Sequence, residues 1–158
     1  ISIVRMALII GVIGLVVLGA GVGSLLLDQS SRQSPFEIEV YPGAEMWGQS
    51  NVQSNSRNVF YRSTDSPEEV AAFYQRKLDE HSGDNSQNCV RLPPEGVNPD
   101  AERNPSAALY QITCMFDRSS FNATQFTKVV IYPGRYNQDP FLNAEGMTIV
   151  KYEQQWQR

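Results

Sequence analysis

Ser66-Pro67-Glu68-Glu69, running on as Val-Ala-Ala-Phe-Tyr-Gln-Arg-Lys-Leu-Asp-Glu to position 80, is the stretch that decides how the rest of the chain must be arranged. Serine as N-cap, proline at the first helical position and glutamate three residues beyond the serine form a capping box, which satisfies backbone N–H groups that a helix start leaves open. Val70, Phe73, Tyr74 and Lys77/Leu78 then fall at helical spacing, giving one apolar face from Pro67 to about Glu80. A helix with one apolar face needs a surface to lie on, and the chain beyond position 88 is rich in strand candidates.

Residues 108–116 (ALYQITCMF), 126–132 (FTKVVIY) and 147–156 (MTIVKYEQQW) are the three strongest strand candidates, dense in aromatic and β-branched residues. Residues 117–124 link the first two as a hairpin. Residues 89–92 read as a short strand, and 58–63 (NVFYRS) as another. Residues 36–40 (FEIEV) alternate cleanly and are expected as a strand stopped by Tyr41-Pro42-Gly43. Between these lie a turn over 81–88, a proline-rich loop over 93–105 and a polar loop over 134–146. One helix followed by strands with no helix between them implies an antiparallel sheet. The expected fold class is therefore α+β: one N-terminal transmembrane helix, then a small antiparallel sheet with one packed helix.

The transmembrane expectation rests on residues 6–27, which carry no charge. As a helix these residues would span about 33 Å at roughly 1.5 Å per residue, matching a hydrocarbon core of about 30 Å. The alternative, a cleaved signal peptide, would have a shorter apolar run ending in a small-residue cleavage site. Here Leu25-Leu26-Leu27 follows the cluster Gly19-Ala20-Gly21 instead. The expected organisation is an anchor over 1–27, a polar linker over 28–35 and an extracytoplasmic α+β domain over 36–158. Arg5 before the apolar run and Asp28 after it place the N-terminus in the cytoplasm by the positive-inside tendency. Ala7, Gly11, Gly14 and Gly21 share one helical face, and Gly19 with Gly23 makes a G-x-x-x-G. Such notches let membrane helices pack closely, which points to integral membrane subunits and the bilayer as partners.

Removing Arg5 from the 13 Lys and Arg leaves 12 against 17 Asp and Glu, about −5 for the polar part. An acidic domain of this kind repels nucleic acid, so no nucleic-acid partner is expected. Cys89 and Cys114 are the two cysteines. Outside the cytoplasm such a pair reads as one disulfide closing a loop of about 25 residues, contributing on the order of 3 kcal/mol. The alternative is two buried thiols.

No catalytic set assembles from the sequence, and neither an enzyme, a cofactor nor a metal is expected. His81 lies just past the expected helix end and reads as a solvated C-terminal cap. Glu68-Glu69 suit capping better than acid–base work. Glu95, Asp100 and Glu102 match no calcium-loop spacing. Asn122-Ala123-Thr124 matches a glycosylation acceptor in form. Trp47, Tyr132, Tyr136, Phe141 and Trp156 fall near strand ends and loops. Most of these read as packing residues, but gathered in one patch they would suit a protein–protein contact.

Tyr41-Pro42-Gly43-Ala44, with the run from Tyr61 through Thr64-Asp65-Ser66-Pro67-Glu68-Glu69-Val70 to Phe73-Tyr74, resembles a domain of small single-span envelope proteins of filamentous phototrophic bacteria. The likeness covers about a third of the polar part. A Gly-Trp pair usual after that helix is replaced here by His81-Ser82-Gly83-Asp84. The resemblance implies no activity. It suggests a non-catalytic accessory subunit of a membrane electron-transfer complex, respiratory or photosynthetic. The alternative is a self-assembling, pilin-like surface protein. Against this, Ser30 to Pro35 break the helix early, and Arg5 stands where such proteins carry a glutamate near the start.

Overall fold

The computed structural model describes residues 27–83, 85 and 87–157. Six strands form one antiparallel sheet in the order β1-β2-β6-β5-β4-β3. They are β1 (Glu45–Ser50), β2 (Ser56–Ser63), β3 (Val90–Leu92), β4 (Gln111–Asp117), β5 (Phe126–Pro133) and β6 (Thr148–Gln155). Helix α1 (Pro67–Ser82) lies on one face, and a short 3-10 turn spans Pro99–Glu102. The capping box forms as expected: Ser66 Oγ accepts from the Glu69 N–H, and the Glu69 carboxylate accepts from the Ser66 N–H.

The register puts alternate residues of each strand beneath the helix. Val59, Val150 and Tyr152, Val129 and Ile131, and Ile112 and Phe116 meet Val70, Tyr74 and Leu78 in one core. At its centre a hydrogen-bond chain joins helix, sheet and the segment before β1. The Tyr41 N–H donates to Tyr74 Oη at 3.0 Å, the two hydroxyls of Tyr74 and Tyr152 lie 2.8 Å apart, and Tyr152 donates to the Glu39 carbonyl at 3.0 Å. Burial pushes the Tyr74 hydroxyl up to about 12, and burial likewise raises that of Tyr152, so both stay protonated.

The expected fold class is corrected in two respects. The described chain is predominantly a six-stranded antiparallel sheet with little helix, since α1 is its single long helix. Among the described residues, no helix is long and apolar enough to cross a membrane. Apart from Leu27, the expected span over 6–27 lies outside the described residues, as do Ala7, Gly11, Gly14, Gly19, Gly21 and Gly23.

Two strand assignments also change. Residues 36–40 form no strand and pair with none among the described residues. Their carbonyls are taken by side chains instead: Gln154 Nε2 and Thr127 Oγ1 donate to Phe36 O, and Tyr152 to Glu39 O. This segment closes the helix side of the core. The strand that flanks β2 on the side away from β6 is β1, where the register shifts between Met46 and Gly48. That bulge, in a stretch with glycine and few apolar residues, breaks the alternation by which strands are recognised.

Candidate functional site

The sheet face away from α1 carries Phe60 and Arg62 of β2, with Ile149, Lys151 and Glu153 of β6 as register partners or neighbours. Glu153 pairs with Lys128 and, at 2.6 Å, with Lys151; these two cations hold its carboxyl below the usual range despite the opposing effect of burial. Toward the end of the sheet where β1 begins, this face is overhung by the loop between β5 and β6. The Trp47 indole N–H donates to the Phe141 carbonyl at 3.1 Å, fastening that loop to the bulge of β1.

An open groove of about 710 Å³ results, lined by Met46, Trp47, Phe60, Arg62, Phe141 and Leu142 among others. A second hollow of about 200 Å³ adjoins it across Trp47 and Leu142, and brings in Tyr132, Tyr136 and Ile149. Four of the five aromatic residues singled out from the sequence, Trp47, Tyr132, Tyr136 and Phe141, thus line these two neighbouring hollows, with Trp47 common to both. The fifth, Trp156, lies at the other end of the sheet, where its N–H donates to Asn55 O. The Phe141 side chain is 86% exposed and Met46 57%. Arg62 Nε has no hydrogen-bond partner among the described residues, and its Nη2 lies 3.5 Å from Glu45. Burial raises the Tyr132 hydroxyl, so the wall of the second hollow there is neutral.

The groove has a rigid frame. Arg135 Nη1 donates to the carbonyls of Ala101, Asn104 and Ala107 at 2.8, 3.1 and 2.9 Å, locking the proline-rich loop to the β5–β6 loop. Gly134 permits the fold-back, since a Cβ there would lie 2.0 Å from the Ala144 carbonyl oxygen. Sequence reasoning missed Phe60, Arg62, Met46 and Leu142. Phe60 and Arg62 were legible as one face of an alternating strand; the loop residues carried no local signal.

The other sequence candidates fall elsewhere. Cys89 and Cys114 form a disulfide. Extending the β3–β4 register by one pair sets these cysteines opposite each other on the helix side. His81 stands inside the last turn of α1 and not past its end, and the C-cap is Gly83, whose N–H donates to Asp79 O; the His81 ring meets Phe36 and Phe116 and its Nε2 contacts Asp117 O at 3.1 Å, tying helix to sheet. Glu68 accepts from the Tyr110 hydroxyl, which burial first and then this carboxylate push up to about 12. Glu95, Asp100 and Glu102 are not drawn together, and among the described residues no group of three or more His, Cys, Asp or Glu could hold a metal ion. Asn122 and Thr124 lie in the exposed link between β4 and β5.

No protein-family model matches the chain, and no curated protein or solved structure matches it either.

Proposed function

We propose that this protein is a non-catalytic accessory subunit, attached to a membrane through its apolar segment over 6–27, with the sheet domain on the extracytoplasmic side and the Trp47–Phe141 groove docked on another protein. The observation that carries the docking reading is the convergence of Trp47, Phe60, Phe141 and Arg62 in one open groove. Tryptophan and arginine are enriched among residues that dominate binding energy at protein interfaces, and exposed apolar patches rimmed by charge mark such surfaces. Among the described residues β1 is an edge strand beside the groove, and its outer edge would suit an extended partner segment.

The Cys89–Cys114 disulfide supports an oxidising compartment, since such bonds persist outside the cytoplasm. The charge-free run over 6–27 and Arg5 before it support membrane attachment with a cytoplasmic N-terminus. Membership of an electron-transfer complex rests on the sequence resemblance alone.

Purification from native membranes in mild detergent tests the reading. The wild-type chain is expected in a stoichiometric complex with integral membrane subunits. Phe141→Asp is expected to release it while leaving the unfolding temperature within a few degrees, because that side chain is almost wholly exposed. Homopolymers would favour the self-assembling alternative, and a lone monomer would refute both.

A further inference from the structure

One end of the sheet is closed by the register row Ser56–Gln155–Phe126–Asp117. The groove sits toward the other end, where Phe60 and Arg62 of β2 lie about 13–20 Å from Ser56 at roughly 3.3 Å per residue. Beyond the row protrude the β1–β2 loop, the β4–β5 turn and the last residues of the chain. The chain leading from the apolar segment arrives at this same end and is held there. Gln125, itself 1% exposed, donates through Nε2 to Ser31 O and Ser34 O at 3.1 and 2.9 Å, and the Gln157 N–H donates to Arg32 O at 2.9 Å.

Each of three segments at this end presents one large apolar side chain to the exterior: Leu27 at 74% exposure, Val52 at 65% and Phe121 at 93%. Phe121 is held at the tip of a tight turn, because Ser120 and Ala123 exchange both backbone hydrogen bonds, at 2.8 and 3.1 Å. A ring fixed there gains nothing from the domain itself. The charged neighbours are already engaged: Asp28 pairs with Arg32, and Arg118 lies over the Phe36 ring. An exposed apolar ring at the end of the domain where the 6–27 segment joins it is placed to enter the headgroup–acyl boundary, where Phe and Leu side chains of membrane-surface segments are buried.

We infer that Phe121, with Leu27 and Val52, is a lipid-contacting tip that seats this end of the domain in the headgroup–acyl boundary of the bilayer. The inference rests on the reading that the 6–27 segment lies in that bilayer. The two surfaces then lie toward opposite ends of the strands, with the tip toward lipid and the groove farther from it.

The test uses the full chain reconstituted in phosphatidylcholine vesicles whose acyl chains are brominated near the headgroup. Phe121→Trp is placed in a Trp47→Phe, Trp156→Phe background, and Phe141→Trp in the same background serves as the distal reporter. The Trp at 121 is expected to lose most of its emission to the brominated lipid and to shift to shorter wavelength, while the one at 141 keeps its emission. If the background substitutions unfold the chain, Phe121→Trp in the otherwise unaltered chain is read by difference from its parent. Flotation with the vesicles but an unquenched Trp at 121 would overturn the tip and leave membrane attachment standing. Failure to float with the vesicles would overturn both.

Discussion

Tyr152→Phe removes one oxygen from the core and no carbon, so it isolates the hydrogen-bond chain from packing. Tyr152 is 1% exposed and Tyr74 fully buried, with their hydroxyls 2.8 Å apart. The substitution leaves the Tyr74 hydroxyl without its acceptor and the Glu39 carbonyl without its donor. A buried polar group left unmade costs about 1–3 kcal/mol. Glu39 is exposed as a residue, so water can replace that partner and the expected loss is about 1–2 kcal/mol. In urea unfolding of the full chain in mild detergent, this reads as a lower midpoint at unchanged slope. Tyr74→Phe strands the Tyr41 N–H in the same way. The double variant should fall short of the sum of the two by about 1 kcal/mol, because both remove the same bond. The raised folded-state values add a pH dependence. An unfolded tyrosine ionises near 10, whereas Tyr74 folded holds its proton to about 12. The unfolded chain therefore releases protons first, so the contribution is fully present below pH 10 and lost as pH rises toward 12. Tyr152→Phe should make that alkaline loss shallower. A variant within about 0.5 kcal/mol of wild type, the range of ordinary surface changes, with an unaltered alkaline limb, would refute the hydrogen-bond chain as a stabilising element.

Replacing Cys89 and Cys114 together by serine should lower stability by about 3 kcal/mol, and a reductant should lower the unfolding temperature of wild type but not of that variant. Gly134→Ala forces a Cβ to within 2.0 Å of a carbonyl oxygen and should destabilise by about 1–3 kcal/mol or displace the β5–β6 loop, visible as lost Trp47 fluorescence protection. Ser66→Ala should cost about 1 kcal/mol through the lost cap, read in thermal unfolding.

The parts of the fold legible in the sequence are those with local chemical causes. The start of α1 is written in Ser66, Pro67 and Glu69, and its apolar face in Val70, Phe73, Tyr74 and Leu78. Strands β4, β5 and β6 show in their β-branched and aromatic content, although β4 begins at Gln111 rather than 108. What is not legible depends on partners distant in the chain. Residues 36–40 alternate like a strand, yet Gln154, Thr127 and Tyr152 claim their carbonyls from far along the sequence. β1 is hidden because a bulge at Trp47 disrupts its period. The sheet accordingly has as many strands as the sequence offers candidates, but β1 takes the place expected of residues 36–40. For the site, the aromatic inventory is readable, but its convergence is not. Trp47 and Phe141 meet through one indole hydrogen bond across 94 positions, and no local pattern announces such a contact.

A photo-reactive benzoylphenylalanine in place of Phe141 would show whether the groove is a protein-docking surface. Irradiated native membranes should yield one discrete adduct joining this chain to a different polypeptide, weakened when Trp47→Ala is added. No adduct from position 141, or an adduct composed of two copies of this chain, would contradict the docking role.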